Sequence, residues 1–370
     1  MSFSWQNLAL QKPILGLSPM DGITDFPFRQ IHANKGKPDV MFTEFTHVEG
    51  MWHGRPWVLE NFLYHHTQRP IIAQIYGNKP DYFYKATLMV CAMGFDGVDI
   101  NMGCPAKNVT HSGGGAALIN TPEIAVNIIK TVQKATHDWY NGITLEAIGV
   151  PQEKIDIINK IYLYSQEQEV KPYISFTPNP THHSAHLSPD RLLLPVSIKT
   201  RTGIDKPKTY EWISTLLSTQ PANISLHGRT LKQMYTDLAD WEELAKAAQL
   251  VRATNTTFLA NGDIESHQDA LNKIELTQSH GALVGRATLG NPWFWQQDKA
   301  VYDKKDRLAD ALQHSIIHSQ TKEEKLFIQM RKHFGFYIKD FPNAIEIRKN
   351  LITKSSINET KEIIELALQN

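Results

Sequence analysis

Two glycine-bearing tripeptides in the second half of the chain have the make-up of a phosphate cradle. Asn261-Gly262-Asp263 and Gly285-Arg286-Ala287 each follow a short apolar run. Glycine lets backbone N–H groups come close to an anion, and an arginine adds a charge-assisted, two-pronged hydrogen bond. Other polar residues recur at the ends of apolar runs in the same way. They are Met20 with Asp21, Glu44, Gln74, Asn101 and Cys104, then Lys199, Arg201 and His227. Taken singly, each could merely cap a loop backbone. A distinctive polar side chain at nearly every such end is more than surface chance, and it points to one mouth where amides, a thiol and cations meet a ligand.

The elements that must position these residues are eight short runs. PILGLSPM (13–20), VMFTEF (40–45), PIIAQIYG (70–77) and GVDINMG (97–103) come first. PVSIKTR (195–201), ANISLHG (222–228), TTFLANG (256–262) and GALVGRA (281–287) follow. Near-continuous apolar runs that end in polar or glycine residues read as parallel strands buried on both faces. Helical patterns such as PDYFYKATLMVCAMG (80–94) and TPEIAVNIIKTVQKA (121–135) lie between them. Proline near a helix start and glycine after its end mark the first of these. Eight such units predict an α/β fold closed as an eight-stranded parallel (TIM) barrel, whose active site forms at the C-terminal strand ends and whose seventh and eighth loops bind phosphate. Roughly sixty residues separate the second helix from the fifth strand, far beyond an ordinary connection. We read an insertion at about 136–190: GVPQEKIDIINKIYLYSQEQEV (149–170) has room for a helix, and FTPNPTHHSAHLSPD (176–190) reads as a loop. The barrel domain is expected over 1–303 and a small all-helical domain over 304–370.

Composition excludes several classes. The two cysteines, Cys91 and Cys104, cannot make a disulfide framework or a zinc site, and the sixteen histidines show no ligand spacing, so no metal is expected. The N-terminus does not resemble a signal peptide, and no run reaches the roughly 18 apolar residues of a membrane span. A cytoplasmic monomer is expected. Formal net charge is zero, so any nucleic-acid surface must be local.

In their order, these motifs resemble the tRNA-dihydrouridine synthases. The resemblance is carried by SPMDGITDFPFR (18–29), QIYG (74–77), NMGCPAKNV (101–109), GGGAALI (113–119) and IKTRTG (198–203). It continues through HGRT (227–230) with ADW (239–241), NGD, GRATLGNPWFW (285–295) and RKHFGFY (331–337). It implies bound FMN and addition of hydrogen across the C5–C6 double bond of a uridine in tRNA. NADPH would be a transient reductant, since no GxGxxG fingerprint follows a strand. The resemblance makes Cys104 the general acid that protonates C5 after hydride reaches C6. An ordinary thiol, with a pKa near 8.5, is protonated at neutral pH and able to donate. The resemblance also sets Lys199 beside the flavin pyrimidine ring and His227 against the flavin, with Gln74 on the isoalloxazine edge. Pro19 and Met20 would lay backbone on the ring. Asn261, Gly262, Asp263, Gly285 and Arg286 belong with the cofactor, and Asn101 and Arg201 with the substrate.

The segment 325–354 carries seven Lys or Arg against two Asp or Glu. Alone it reads as a solvated helix face. The resemblance makes it a tRNA grip, with Arg331, Lys332 and Arg348 as contacts, while Phe334, Phe336 and Tyr337 face a helical core. Two other readings compete: a flavin-dependent reductase of a small pyrimidine or enone, and a non-catalytic tRNA-binding protein. The basic tail argues against the first. Cys104, Lys199 and His227 argue against the second.

Overall fold

The computed structural model describes residues 3–172, 190–297 and 302–369. Its strands are β1 (Ile14–Leu17), β2 (Met41–Phe42), β3 (Thr46–His47), β4 (Ile71–Tyr76) and β5 (Gly97–Met102). Then come β6 (Val196–Arg201), β7 (Asn223–His227), β8 (Thr257–Asn261) and β9 (Gly281–Val284). All pair in parallel in the order β1-β9-β8-β7-β6-β5-β4-β2, with β3 also on β4. A parallel bridge between Gly16 and Val40 joins the two ends, and Leu17 N donates to Val40 O at 2.9 Å. The sheet is thus an eight-stranded barrel whose second position is shared by β2 and β3. Closure needs small residues at the seam: a Cβ on Gly16 would sit 2.6 Å from Leu283 and 2.8 Å from Val40.

The run VMFTEF is therefore strand only at Met41–Phe42, and β3 begins just beyond it at Thr46. Thr43 Oγ1 accepts from Gln74 N and donates to Glu44 O, both at 3.0 Å, replacing part of the main-chain ladder. Glu44 turns its carboxylate to Gly22 N at 2.5 Å, where it holds the loop after β1. The strands are apolar throughout because both faces are covered: every residue of β7, β8 and β9 is buried. Trp5, with Ile14, Phe42, Ile72 and Leu259, forms a separate apolar cluster on the inside of the sheet.

The helix Pro80–Ala92 starts on proline with Asp81 in its first turn, and Gly94 beyond its end has φ +77°. The helix Pro122–Tyr140 runs past 135 into the stretch read as insertion. A helix Gln152–Ser165 follows, burying Ile155, Ile157, Ile158 and Ile161. It packs against the Pro56–Phe62 segment and the helix Pro80–Ala92. Lys154 Nζ donates to Met51 O at 2.8 Å. Most of FTPNPTHHSAHLSPD lies outside the described residues. No helix among the described residues is long and apolar enough to cross a membrane.

Beyond the barrel come the helices Lys304–Thr321, Met330–Tyr337, Ala344–Leu351 and Ile357–Gln369. They share their own core of Leu308, Phe327, Met330, Phe334, Tyr337 and Leu351. This bundle docks on the barrel helix Phe26–Lys35. Lys35 pairs with the buried Asp310 at 3.0 Å, and Lys322 lies 3.5 Å from Asp25.

Four buried histidines, His32, His314, His318 and His333, sit in or beside this seam. Burial pushes His32 and His333 down to about 3, and His314 and His318 are also lowered. The unfolded chain takes up protons below about 6.5 that the folded imidazoles refuse. Stability is therefore whole above about pH 6.5 and drains as pH falls, by about 1.4 kcal/mol per pH unit for each such histidine. Glu44 opposes one of them. Burial raises it to about 7 from 4.5, so the folded state holds an extra proton in that window. The expected outcome is a melting temperature that drops steadily between about pH 6.5 and 5. A flat or rising profile in thermal denaturation scans would contradict the seam's electrostatics.

Candidate active site

The C-terminal ends of the strands surround a cavity of about 1100 Å³. From the sequence expectations it gathers Pro19 and Met20 after β1, Asn101 on β5 and Cys104 just after it, and Lys199 and Arg201 on β6. His227, Asn261 to Asp263, Gly285 and Arg286 complete the wall from β7, β8 and β9. Gln74 is not on this wall. Its side chain is fully buried, with Nε2 donating to Asp99 Oδ2 at 2.7 Å and Oε1 accepting from Asn101 Nδ2 at 3.0 Å.

That arrangement is a relay from the barrel core to the thiol. Asp99, fully buried on β5, accepts from Ser197 Oγ at 2.6 Å and fixes which end of the Gln74 amide faces it. Gln74 thereby orients Asn101. Asn101 Oδ1 then accepts the main-chain N–H of Gly103 at 3.0 Å and of Cys104 at 2.9 Å. From the other side, Ala116 N donates to Cys104 O at 3.1 Å. The glycine run that follows is packed, not open. Gly115 has φ +57°, and a Cβ there would press on Cys104 O at 2.7 Å. The Cys104 thiol is pushed up by burial and by nearby Asp21, against the Ala106 N–H, Arg201 and Lys199, so it is protonated at neutral pH.

Lys199 is half-buried, and desolvation with the Arg201 charge brings it down to about 8. Its Nζ donates to Asn261 Oδ1 at 3.2 Å, and Asn261 Nδ2 is fixed on Leu283 O at 2.7 Å. Burial and the cations Lys199, Arg201, Arg229 and Arg286 hold His227 well below 6.5, as a neutral imidazole. Arg229 Nη1 donates to His227 Nε2 at 3.2 Å, which assigns the ring proton to Nδ1.

Arg229 was not singled out in the sequence, although it stands in HGRT. It is 2 % exposed, lines the cavity, and pairs Nη2 with both oxygens of Asp263 at 2.8 and 2.7 Å. Asp263 also accepts from Ala239 N at 2.7 Å and from Arg286. Burial would raise it, but the Ala239 N–H and the two arginines outweigh that and lower it. Its carboxylate therefore holds cations in place. Arg201 is similarly committed: Nε donates to Gly103 O at 2.8 Å, and Nη1 to Thr230 O and Met234 O at 3.0 Å. It ties the Cys104 loop to the loop after β7.

Arg331, Lys332 and Arg348 do not line the cavity. Arg331 donates to Lys354 O at 3.1 Å within the bundle, and Arg348 lies half-buried on Ala344–Leu351. Lys332 does reach the rim, where its Nζ donates to Gly22 O beside Asp21. Among the described residues no group of His, Cys, Asp or Glu is arranged to hold a metal ion.

The Lys199 environment tests whether an electron-rich, anionic cofactor fits. Among the described residues it has no carboxylate at ion-pair distance, and a neutral amide is its hydrogen-bond acceptor. A half-buried ammonium in that state is stabilised by a ligand that brings acceptors or negative charge. The residues fit such a group.

A closed parallel barrel with a polar mouth of this kind is a barrel enzyme. The chain belongs to the dihydrouridine synthase family, a family of oxidoreductases: the family model "Dihydrouridine synthase (Dus)" matches residues 16–147 and 187–370. The stretch between 147 and 187 is outside the match and falls within the segment read as an insertion. A probable tRNA-dihydrouridine synthase of Staphylococcus aureus (strain COL) is 29% identical over 366 residues, covering 96% of this chain and 93% of that protein. A probable tRNA-dihydrouridine synthase 2 of Bacillus subtilis (strain 168) is 28% identical over 364 residues, covering 96% and 94%. Among solved structures, the old yellow enzyme homologue of Zymomonas mobilis aligns with a TM-score of 0.40 at 12% identity, over 75% of this chain and 85% of that one.

Proposed function

We propose that this protein reduces the C5–C6 double bond of a uridine in tRNA, with FMN held in the 1100 Å³ cavity. The observation that carries the reading is a protonated, buried thiol and a half-buried ammonium on one cavity wall, with no carboxylate at ion-pair distance from that ammonium among the described residues, in a chain of this family. FMN bound there would supply the hydride for C6, after receiving it from NADPH at the same mouth.

The chain's own residues do the rest. Lys199 would hold the electron-rich edge of a bound flavin, where a fixed cation stabilises negative charge without reorganisation. His227, neutral and protonated on Nδ1, adds a donor. Gly262 and Gly285 offer backbone close to a phosphate, and Arg286, held by Asp263, adds charge. Asn101 borders the target base while its Oδ1 fixes the Cys104 loop. Cys104 Sγ–H gives its proton to C5 as C6 gains hydride, and the resulting thiolate recovers a proton from solvent. A uridine in folded RNA reaches this depth only if it is extruded from its stack.

Nucleosides from unmodified tRNA, incubated with the purified protein and NADPH and then digested, test this directly. One uridine should gain H2. Absence of any such product from the flavin-loaded protein would overturn the reading. Lys332→Ala should weaken tRNA binding several-fold and lower the salt slope of binding by about one, while the cofactor stays bound. Filter binding at several salt concentrations reads both, and an unchanged slope would remove Lys332 from the RNA path.

A further inference from the structure

A second cavity, of about 230 Å³, lies beside the first and shares Asp21, Phe45 and Ala106 with it. Its other walls include His47 at the end of β3, Tyr76 at the end of β4, and Asn108 beyond β5, so it opens on the same face of the barrel. Phe45 and Tyr76 meet edge to face, with centroids 4.9 Å apart and planes at 87°. The His47 ring lies 5.0 Å from Tyr76 at 41°. Asn61 and Asn108, both exposed, add amide groups at the lip.

The lining defines the chemistry of an occupant. Among the described residues, no Lys or Arg borders this cavity and its only carboxylate is Asp21. Burial also lowers His47, against Glu49. A phosphate meets no lysine or arginine here among the described residues, whereas the first cavity is bordered by Lys199, Arg201, Arg229 and Arg286. Aromatic rings with amides at the rim suit a neutral planar heterocycle, which stacks on the rings and pairs its edge with the amides. The volume falls below the roughly 300 Å³ of drug-sized sites, so one ring system fits and a dinucleotide does not.

We propose that this cavity receives the nucleobase adjoining the uridine that is reduced. The proposal rests on the RNA reading above. A strand that delivers an extruded base past Cys104 has its next nucleotide within one residue's reach, and the shared wall of Phe45 and Ala106 leads to the second cavity. The enzyme therefore reads a neighbour as well as the target, and part of its choice among uridines is made at Tyr76 and Asn108.

The test uses flavin-loaded enzyme and unmodified tRNA in which the reduced uridine has been mapped. 2-Aminopurine is placed on its 5′ side or its 3′ side. Emission should change on binding for one of the two positions, and Tyr76→Ala and the exposed-site variant Asn108→Ala should each lose that change. Tyr76→Ala should raise KM for tRNA about five-fold or more, the lower end of what losing one base–aromatic stack costs. An abasic neighbour should raise KM by a similar factor in the wild type and add nothing in Tyr76→Ala. Emission changes that both variants retain, or KM penalties that simply multiply, would overturn the subsite while dihydrouridine formation left the function intact. No dihydrouridine from the wild type would overturn both.

Discussion

Cys104→Ala is expected to lower the rate of dihydrouridine formation by roughly 10²–10⁴-fold, the usual contribution of a positioned general acid. The variant should keep its flavin and its reduction by NADPH. The geometry makes this a clean substitution. The loop is held through main-chain atoms, with Asn101 Oδ1 on the N–H groups of Gly103 and Cys104 and Ala116 N on Cys104 O, and alanine keeps all three contacts. The Cβ stays and only the thiol goes, so the loss is one of proton donation. Because burial raises the Cys104 pKa, the wild type should remain active at pH values where a free thiol has begun to ionise. Single-turnover formation of dihydrouridine by the reduced variant is the measurement, with NADPH-driven bleaching of the flavin as the control. A variant that made product at the normal rate would show that the proton comes from elsewhere.

Lys199→Met should slow uridine reduction by roughly 10²–10³-fold or release the cofactor, the scale on which a single preorganised electrostatic group acts. Its pH dependence separates charge from packing. In the free protein the ammonium is lowered to about 8, so it is charged at neutral pH and loses its proton above that value. A ligand that needs the charge binds the protonated form better. FMN affinity of the apoprotein should therefore be flat at neutral pH and fall as pH rises through about 8. In Lys199→Arg the break near pH 8 should vanish, since a guanidinium stays protonated throughout that range. Titration of apoprotein with FMN, followed by quenching of flavin fluorescence, reads the profile. A wild-type affinity independent of pH across about 7 to 10 would show that Lys199 does not carry the interaction.

The barrel was legible because parallel strands covered on both faces are apolar almost without interruption, as in ANISLHG and TTFLANG. The polar residues that stood out were then those at strand ends. The split of β2 from β3 was not legible. Nothing in VMFTEF announces that Thr43 Oγ1 takes over a main-chain partner. Cys104, Lys199 and His227 were singled out because they stand at or near strand ends in recognisable motifs. Asp99 escaped because it lies inside the strand GVDINMG, and only tertiary structure brings it to Ser197 and Gln74. The resemblance set Gln74 on the flavin edge; in the fold its amide lies behind Asn101 and bonds to Asp99. Arg229 was hidden behind its neighbour His227, and its partner Asp263 is contributed by the next strand's loop. The helix within 149–170 could be read from its pattern. Its packing against 56–62 and 80–92 could not, because that depends on surfaces supplied by distant segments.

On the proposed function, electrons pass from a flavin in this cavity to a uridine in RNA. Anaerobic mixing of the reduced, flavin-loaded protein with unmodified tRNA tests it most directly. The flavin should reoxidise in step with dihydrouridine, one for one, and tRNA already carrying dihydrouridine at the target should leave it reduced. Reoxidation by a small enone with none by unmodified tRNA would contradict the claim and make the protein a small-molecule reductase.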